Sequence, residues 1–131
     1  MFVTDTHPLI WYSTGKHSQL SRRVLNAFRK AETAETLIYV PAVVFWEIAL
    51  LENLGKIKLK ERFDYWADAL LAKNGFEIVP LETSVIAESI GYNFNNDSFD
   101  KIIVASAKEL DVPLITKDVA ISESNLVEIY W

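Results

Sequence analysis

The runs FVTD (residues 2–5) and LITKD (residues 114–118) carry the reading that decides the fold. Each is a short β-rich stretch closed by an aspartate, directly in the first and after one intervening residue in the second. Working outward, strand-like runs recur as LIYV at 37–40, FEIV at 76–79, VPLIT at 112–116 and LVEIY at 126–130. The stretches between them have helical periods. Leu20, Val24, Phe28 and Ala31 recur at spacings of three and four, with Arg22, Arg23, Arg29 and Lys30 on other faces. Phe63, Trp66, Ala67, Leu70 and Leu71 repeat the pattern. A further helix is predicted from Thr83 as N-cap to Gly91 as a left-handed C′ residue, and another over 98–110. Strands separated by helices predict an α/β fold with a mainly parallel sheet.

Length and composition narrow the class. A chain of 131 residues reads as one domain spanning 1–131, since domains run to roughly 100–200 residues. No stretch is biased enough for a linker, repeat or disordered tail. The chain has no Cys and only two His, His7 and His17, which excludes a disulfide framework and a thiolate zinc site and disfavours an imidazole site. No run approaches the roughly 18 apolar residues of a membrane span, and MFVTDTHPLIWY lacks the layout of a signal peptide, so no membrane partner and a cytoplasmic location are expected. A net charge of −5 argues against gripping nucleic acid by broad attraction, although a divalent metal and local basic patches still recruit phosphates.

Four carboxylates, Asp5, Glu47, Asp100 and Asp118, sit where apolar runs end or are interrupted. An ionised carboxylate removed from water must be hydrogen-bonded, paired or metal-bound, because desolvation otherwise costs several kcal/mol. In open parallel sheets ligands bind beyond the carboxyl ends of the strands, where strand order reverses. Asp5 and Asp118 are expected at that edge, and right-handed crossovers bring the start of the helix bearing Asp100 there too. Hard oxygen ligands suit Mg²⁺ or Mn²⁺, so a single metal site is the expectation.

Each position has a plainer alternative. Glu47 lies inside AVVFWEIALL after Pro41, centred on a face with Val43, Val44, Leu50, Leu51 and Leu54; otherwise it is a rim carboxylate that reaches water or a Lys. In NDSFDKIIVASAKEL, Asp97 or Ser98 caps the helix and Asp100 falls in its first turn, where negative charge is favoured anyway. Asp97 reads first as the cap, and second as an accessory ligand or water-positioning group. Asp5 and Asp118 are each explicable as turn or cap residues. Their joint placement at one sheet edge is what independent caps do not explain. Thr6 and Thr116 stand next to the acids and are candidates to orient ligands or water. His7, close to Asp5, reads first as structural and second as an assisting group, and Lys56, Lys58 and Lys60 first as a solvated loop and second as phosphate contacts. Trp11, Trp46, Trp66 and Trp131 read as core or interface, because no basic residues interleave with them to make a base-stacking platform.

The opening strand with DTHPLIW, then FWEIALLENLGKI, DSFDKIIVASA and LITKD, together resemble the PIN domain family, and within it the VapC-like toxins of bacterial toxin–antitoxin pairs. The resemblance spans almost the whole chain in order and spacing. It implies a three-layer α/β/α sandwich and an Mg²⁺- or Mn²⁺-dependent ribonuclease. It also implies a homodimer and a cognate antitoxin that reaches the acidic groove. By that likeness Asp5, Glu47, Asp100 and Asp118 occupy the family's metal-binding positions, and Asp97 matches an additional aspartate common in this subgroup. Ser98 replaces a usual proline, Lys101 a usual arginine, and Ala42-Val43 the usual small hydroxyl residues, but no carboxylate is missing. Two other classes stay open: another metal-dependent phosphohydrolase and a catalytically silent interaction domain. A phospho-accepting receiver domain is disfavoured, because Asp5 stands alone and FEIVPLE has no acceptor aspartate.

Overall fold

The computed structural model describes residues 1–131. Strands β1 (Phe2–Thr4), β2 (Ile38–Pro41), β3 (Phe76–Val79), β4 (Leu114–Ile115) and β5 (Ile129–Tyr130) form one parallel sheet in the order β3-β2-β1-β4-β5. The helices are α1 (Thr6–Ser13), α2 (Arg22–Glu32), α3 (Ala42–Asn53), α4 (Phe63–Leu71), α5 (Thr83–Ile90), α6 (Ser98–Leu110) and α7 (Val119–Ser124). The chain winds from β1 outward to β3, then returns past β2 and β1 to β4. With right-handed crossovers that reversal puts the helices on both faces, which makes the three-layer α/β/α sandwich.

Burial explains why the strands read as continuous apolar runs. Val3, Ile38, Val40, Leu114 and Ile115 are fully inaccessible, as strands covered on both faces must be. The last two strands are shorter than 112–116 and 126–130 predict. Pro113 has no N–H to give a ladder, though its carbonyl accepts from the Val3 N–H at 3.0 Å. Helix α2 follows its sequence pattern: Ser21 caps it by accepting from the Val24 N–H, and Val24, Ala27, Phe28 and Ala31 face the core. Its end presses on the start of β3. A Cβ on Gly75 would lie 1.9 Å from the Ala31 carbonyl oxygen, so only glycine permits that approach.

Two helix-end expectations fail. The residue before α5 is Glu82, extended and without a side-chain cap bond, and Thr83 is already helical. Gly91 stays right-handed at φ −77°. There the chain leaves through i→i+3 bonds, Gly91 N–H to Glu88 O and Tyr92 N–H to Ser89 O, which need no positive φ. The placement of Glu47 also changes. Helix α3 buries Val43, Val44, Phe45 and Ile48, while Trp46, Leu50 and Leu54 are exposed. Glu47 is therefore at the border of the buried face, because α3 is apolar nearly all round and its sequence does not single out one face.

Candidate metal centre

Strands β1 and β4 are neighbours, and β1 is where the strand order reverses, so their carboxyl ends flank the switch point. Asp5 ends β1 and its N–H bonds the Ile115 carbonyl at 3.0 Å, which extends the pairing by one residue. Its side chain caps α1 by accepting from the Thr6 N–H at 2.7 Å. The other oxygen accepts from the Thr116 hydroxyl, also at 2.7 Å. Thr116 in turn accepts from the Asp118 N–H at 3.1 Å, and Asp118 caps α7 through the Ile121 N–H at 2.9 Å. Asp5, Thr6 and Thr116 are buried. One chain of hydrogen bonds thus ties the ends of two strands to the starts of two helices.

The other carboxylates come in on helices. Thr6 donates its hydroxyl to Glu47 Oε1 at 2.6 Å, so this buried threonine joins Asp5 to α3. Asp97 caps α6 by accepting from the Phe99 and Asp100 N–H groups. Asn95 holds both aspartates: its amide donates to Asp100 Oδ2 at 2.8 Å, and its carbonyl oxygen accepts from the Asp97 N–H at 2.9 Å. Trp46 on α3 meets Phe99 on α6 edge to face, with centroids 5.3 Å apart.

The cap readings and the cluster reading are therefore compatible. Asp5, Asp97 and Asp118 all cap helices, yet each cap bond occupies limited lone-pair capacity. Asp97 Oδ2, Asp118 Oδ2, Asp100 Oδ1 and Glu47 Oε2 have no hydrogen-bond donor in the protein. Asp5 engages both oxygens but retains further lone pairs.

The electrostatics bind the five acids into one field. Burial raises the Asp5 pKa, opposed by its bonds to Thr116 and Thr6 and by His7, and reinforced by Asp118. Burial likewise raises Glu47, opposed by the Thr6 bond and His7 and reinforced by Asp97 and Asp5. Asp100 is pushed up to about 7, first by burial and then by the Asp5 charge, with the Asn95 bond opposing and Asp97 and Asp118 adding to it. Such an arrangement favours binding a cation. The donor set, all hard oxygen, fits Mg²⁺ or Mn²⁺. The geometry is open: no three of these groups converge at ligating distance as they stand. Mutual repulsion opposes convergence until a cation offsets it. Asp5, Glu47, Asp100 and Asp118 are the residues that could hold such an ion, with Asp97 at the margin.

Asn95 and Lys117 go beyond the sequence reading. Asn95 carries a signal in hindsight, since an Asn two residues before a helix cap commonly closes an Asx turn. His7 acts electrostatically on Asp5 and Glu47 rather than as a ligand at imidazole spacing. Lys117 lines the mouth with Asp5, His7, Trp11, Thr116 and Asp118, around a cavity of about 240 Å³.

Residues 2–124 match the PIN domain family model. No curated protein matches the sequence. Among solved structures, FitAcB from Neisseria gonorrhoeae superposes with a TM-score of 0.66 at 19% identity, covering 100% of this chain and 97% of that one. A toxin–antitoxin complex from Klebsiella pneumoniae gives 0.65 at 16% identity, with 97% and 95% covered. VapBC2 from Rickettsia felis, bound to a DNA fragment from its promoter, gives 0.66 at 15% identity, with 98% and 96% covered. At these identities the likeness is one of fold.

Proposed function

The chain belongs to the PIN domain family, and from that premise we propose that it is an Mg²⁺- or Mn²⁺-dependent endoribonuclease of the VapC toxin type, silenced by a cognate antitoxin. The observation that carries the reading is the buried Asp5, fixed between Thr6 and Thr116 at the switch point, with Glu47, Asp97, Asp100 and Asp118 close enough to perturb one another or Asp5.

Asp5 and Asp100 are assigned as principal ligands, with Glu47 and Asp118 holding a second cation or orienting water, and Asp97 first as the cap of α6 and second as an accessory ligand or water-positioning group. A divalent cation at this site would acidify water and neutralise charge on the phosphate during in-line displacement. The chain's own residues do the positioning. Thr116 aims the Asp5 carboxylate, Thr6 ties Glu47 to it, and Asn95 orients Asp100. The Asp5 carboxylate bonds one neutral hydroxyl and one backbone N–H rather than a Lys or Arg, so its negative charge is left for a metal.

The antitoxin partner is proposed from the solved toxin–antitoxin complex and VapBC2 that share this fold. A homodimer is supported by the exposed apolar strip of Trp46 and Leu50 on α3 and Leu54 just after it. We place the protein in the cytoplasm as a single unit over 1–131; no helix is long and apolar enough to cross a membrane. The decisive experiment incubates the purified chain with structured and unstructured RNA in Mg²⁺, Mn²⁺ or chelator. Metal-dependent cleavage is expected, and cleavage that survives chelation sinks the mechanism.

A second reading, a catalytically silent PIN-like interaction domain, draws on the open arrangement of the acids. It predicts antitoxin binding with no metal-dependent cleavage of any RNA. Hydrolysis of small phosphate esters in preference to RNA would point instead to another metal-dependent phosphohydrolase.

A further inference from the structure

Beside the acidic pocket the fold assembles what the sequence keeps apart. Lys117, at the pocket mouth, places its ammonium 4.6 Å from the Trp11 ring centre and 5.8 Å from that of Trp131. Those two indoles meet edge to face at 6.4 Å. Trp131 then forms the wall of a groove of about 650 Å³ whose other side is α2, with Arg22, Arg23, Asn26 and Arg29. Arg23 lies 3.9 Å over the ring of Tyr130, which anchors α2 to the last strand. The basic interleaving absent along the sequence is present in space.

This strip runs against the chain's composition. The chain carries 18 acidic against 13 Lys and Arg side chains, so a local cluster of cations stands out against its net charge of −5. The ion pairs are Arg62–Asp64, Lys73–Glu32 and Lys108–Glu88, and none includes Arg22, Arg23, Arg29 or Lys117. Arg22 and Arg29 are seven residues apart, two turns along one exposed face of α2. A polyanion approaching an acidic pocket on an acidic protein is repelled unless local cations receive it. Alternating aromatic rings and cations are what a flexible strand with stackable bases uses, and they are sequence-tolerant.

We propose that the strip from Lys117 and Trp131 to Arg22 and Arg29 is the track for a single-stranded RNA segment adjoining the scissile phosphate. The arginines and Lys117 bind phosphates, and Trp131 stacks on a base. This rests on the ribonuclease reading of the acidic pocket and adds the binding surface to it.

The test measures binding without turnover. A labelled unstructured RNA of about 15 nucleotides, sized to a typical single-strand site, is titrated with the full chain in chelator and followed by fluorescence anisotropy over a range of salt. Arg22→Ala/Arg29→Ala is expected to weaken binding about tenfold and to lower the salt slope by about 1.4, or about 0.7 for each phosphate no longer neutralised. Trp131→Ala is expected to weaken binding about tenfold with the slope unchanged. Lys56→Ala/Lys58→Ala removes equal charge from another loop and should bind as the parent does. Far-UV circular dichroism and melting of each variant establish folding. Equal weakening in both the lysine and the arginine pairs, or parental binding by the arginine pair, overturns the track. If the parent binds RNA through the strip but never cleaves it, the ribonuclease reading fails and the track stands. If the parent cleaves RNA and the arginine pair changes neither binding nor cleavage, the track alone fails.

Discussion

The two halves of the acidic pocket are built differently. The half at the ends of β1 and β4 is a closed run of bonds, from Asp5 through Thr116 to Asp118, on buried backbone between adjacent strands. The half on α3 and α6 hangs on single bonds: Thr6 to Glu47, and Asn95 to Asp100. The strand half is pre-organised, because moving Asp5 would break sheet pairing and a helix cap together. The helix half can shift by side-chain rotation. A site of like charges needs some part that yields, and the helix half is the easier part to move.

That contrast is breakable. Removing the fixed charge is expected to be most damaging: Asp5→Asn should lower metal-dependent RNA cleavage by at least about 10²-fold, the scale of losing metal-assisted activation. Full activity in that variant would void the ligand assignment. Thr116→Val strips a donor from buried Asp5 and an acceptor from the Asp118 N–H, and should cost about 1–3 kcal/mol in denaturant unfolding. Thr6→Val, which removes only the link to Glu47, should cost less than Thr116→Val. The reverse order would mean that the helix half is the rigid one.

Asn95→Ala should act through ionisation. Its bond lowers the Asp100 pKa from what burial would impose, so removing it raises that pKa above about 7. In chelator the Asp100 titration, followed by NMR, should move to higher pH; an unmoved titration would detach Asn95 from the site. The smallest effect concerns stability without metal. Asp100 in the folded chain holds its proton up to about 7, whereas an unfolded aspartate releases it near the ordinary 3.8. Between those values the folded state binds more protons, so stability in chelator should fall as pH rises from about 4 to 7, and level off above. Because Asp100 is only half-buried, screening should limit the fall to about 1–2 kcal/mol. Melting at pH 5 and pH 8 should show it. Asp100→Asn should reduce the dependence, leaving the part that the raised Asp5 and Glu47 contribute, and Mg²⁺ should stabilise the chain chiefly at the higher pH.

How far the sequence could be read follows the same division. Asp5 and Asp118 were legible because each closes a β-run, and a strand's end fixes which edge the residues after it occupy. The α2 pattern was legible because Val24, Phe28 and Ala31 alternate with charged residues, whereas α3 offers apolar residues on every side and hides which way Glu47 turns. The cap alternatives at Asp97 and Asp118 were correct as local structure. They were incomplete only because a carboxylate has two oxygens and a cap bond engages one. The Thr83 cap fails because Glu82 is the extended residue that enters α5 and Thr83 is already helical, and the left-handed Gly91 fails because the chain leaves through i→i+3 bonds that need no positive φ.

By itself the sequence determined the alternation of strand and helix, the amphipathic faces and the edge on which the two strand-end aspartates stand, since these depend on a few residues of backbone geometry. Tertiary structure alone decided that Thr116 reaches Asp5 across 111 positions and Thr6 reaches Glu47 across 41, and that Lys117, Trp131 and the α2 arginines share one strip. Those meetings depend on β2 and β4 lying on either side of β1, with β5 beyond β4, and strand order is settled by burying the whole apolar core at once.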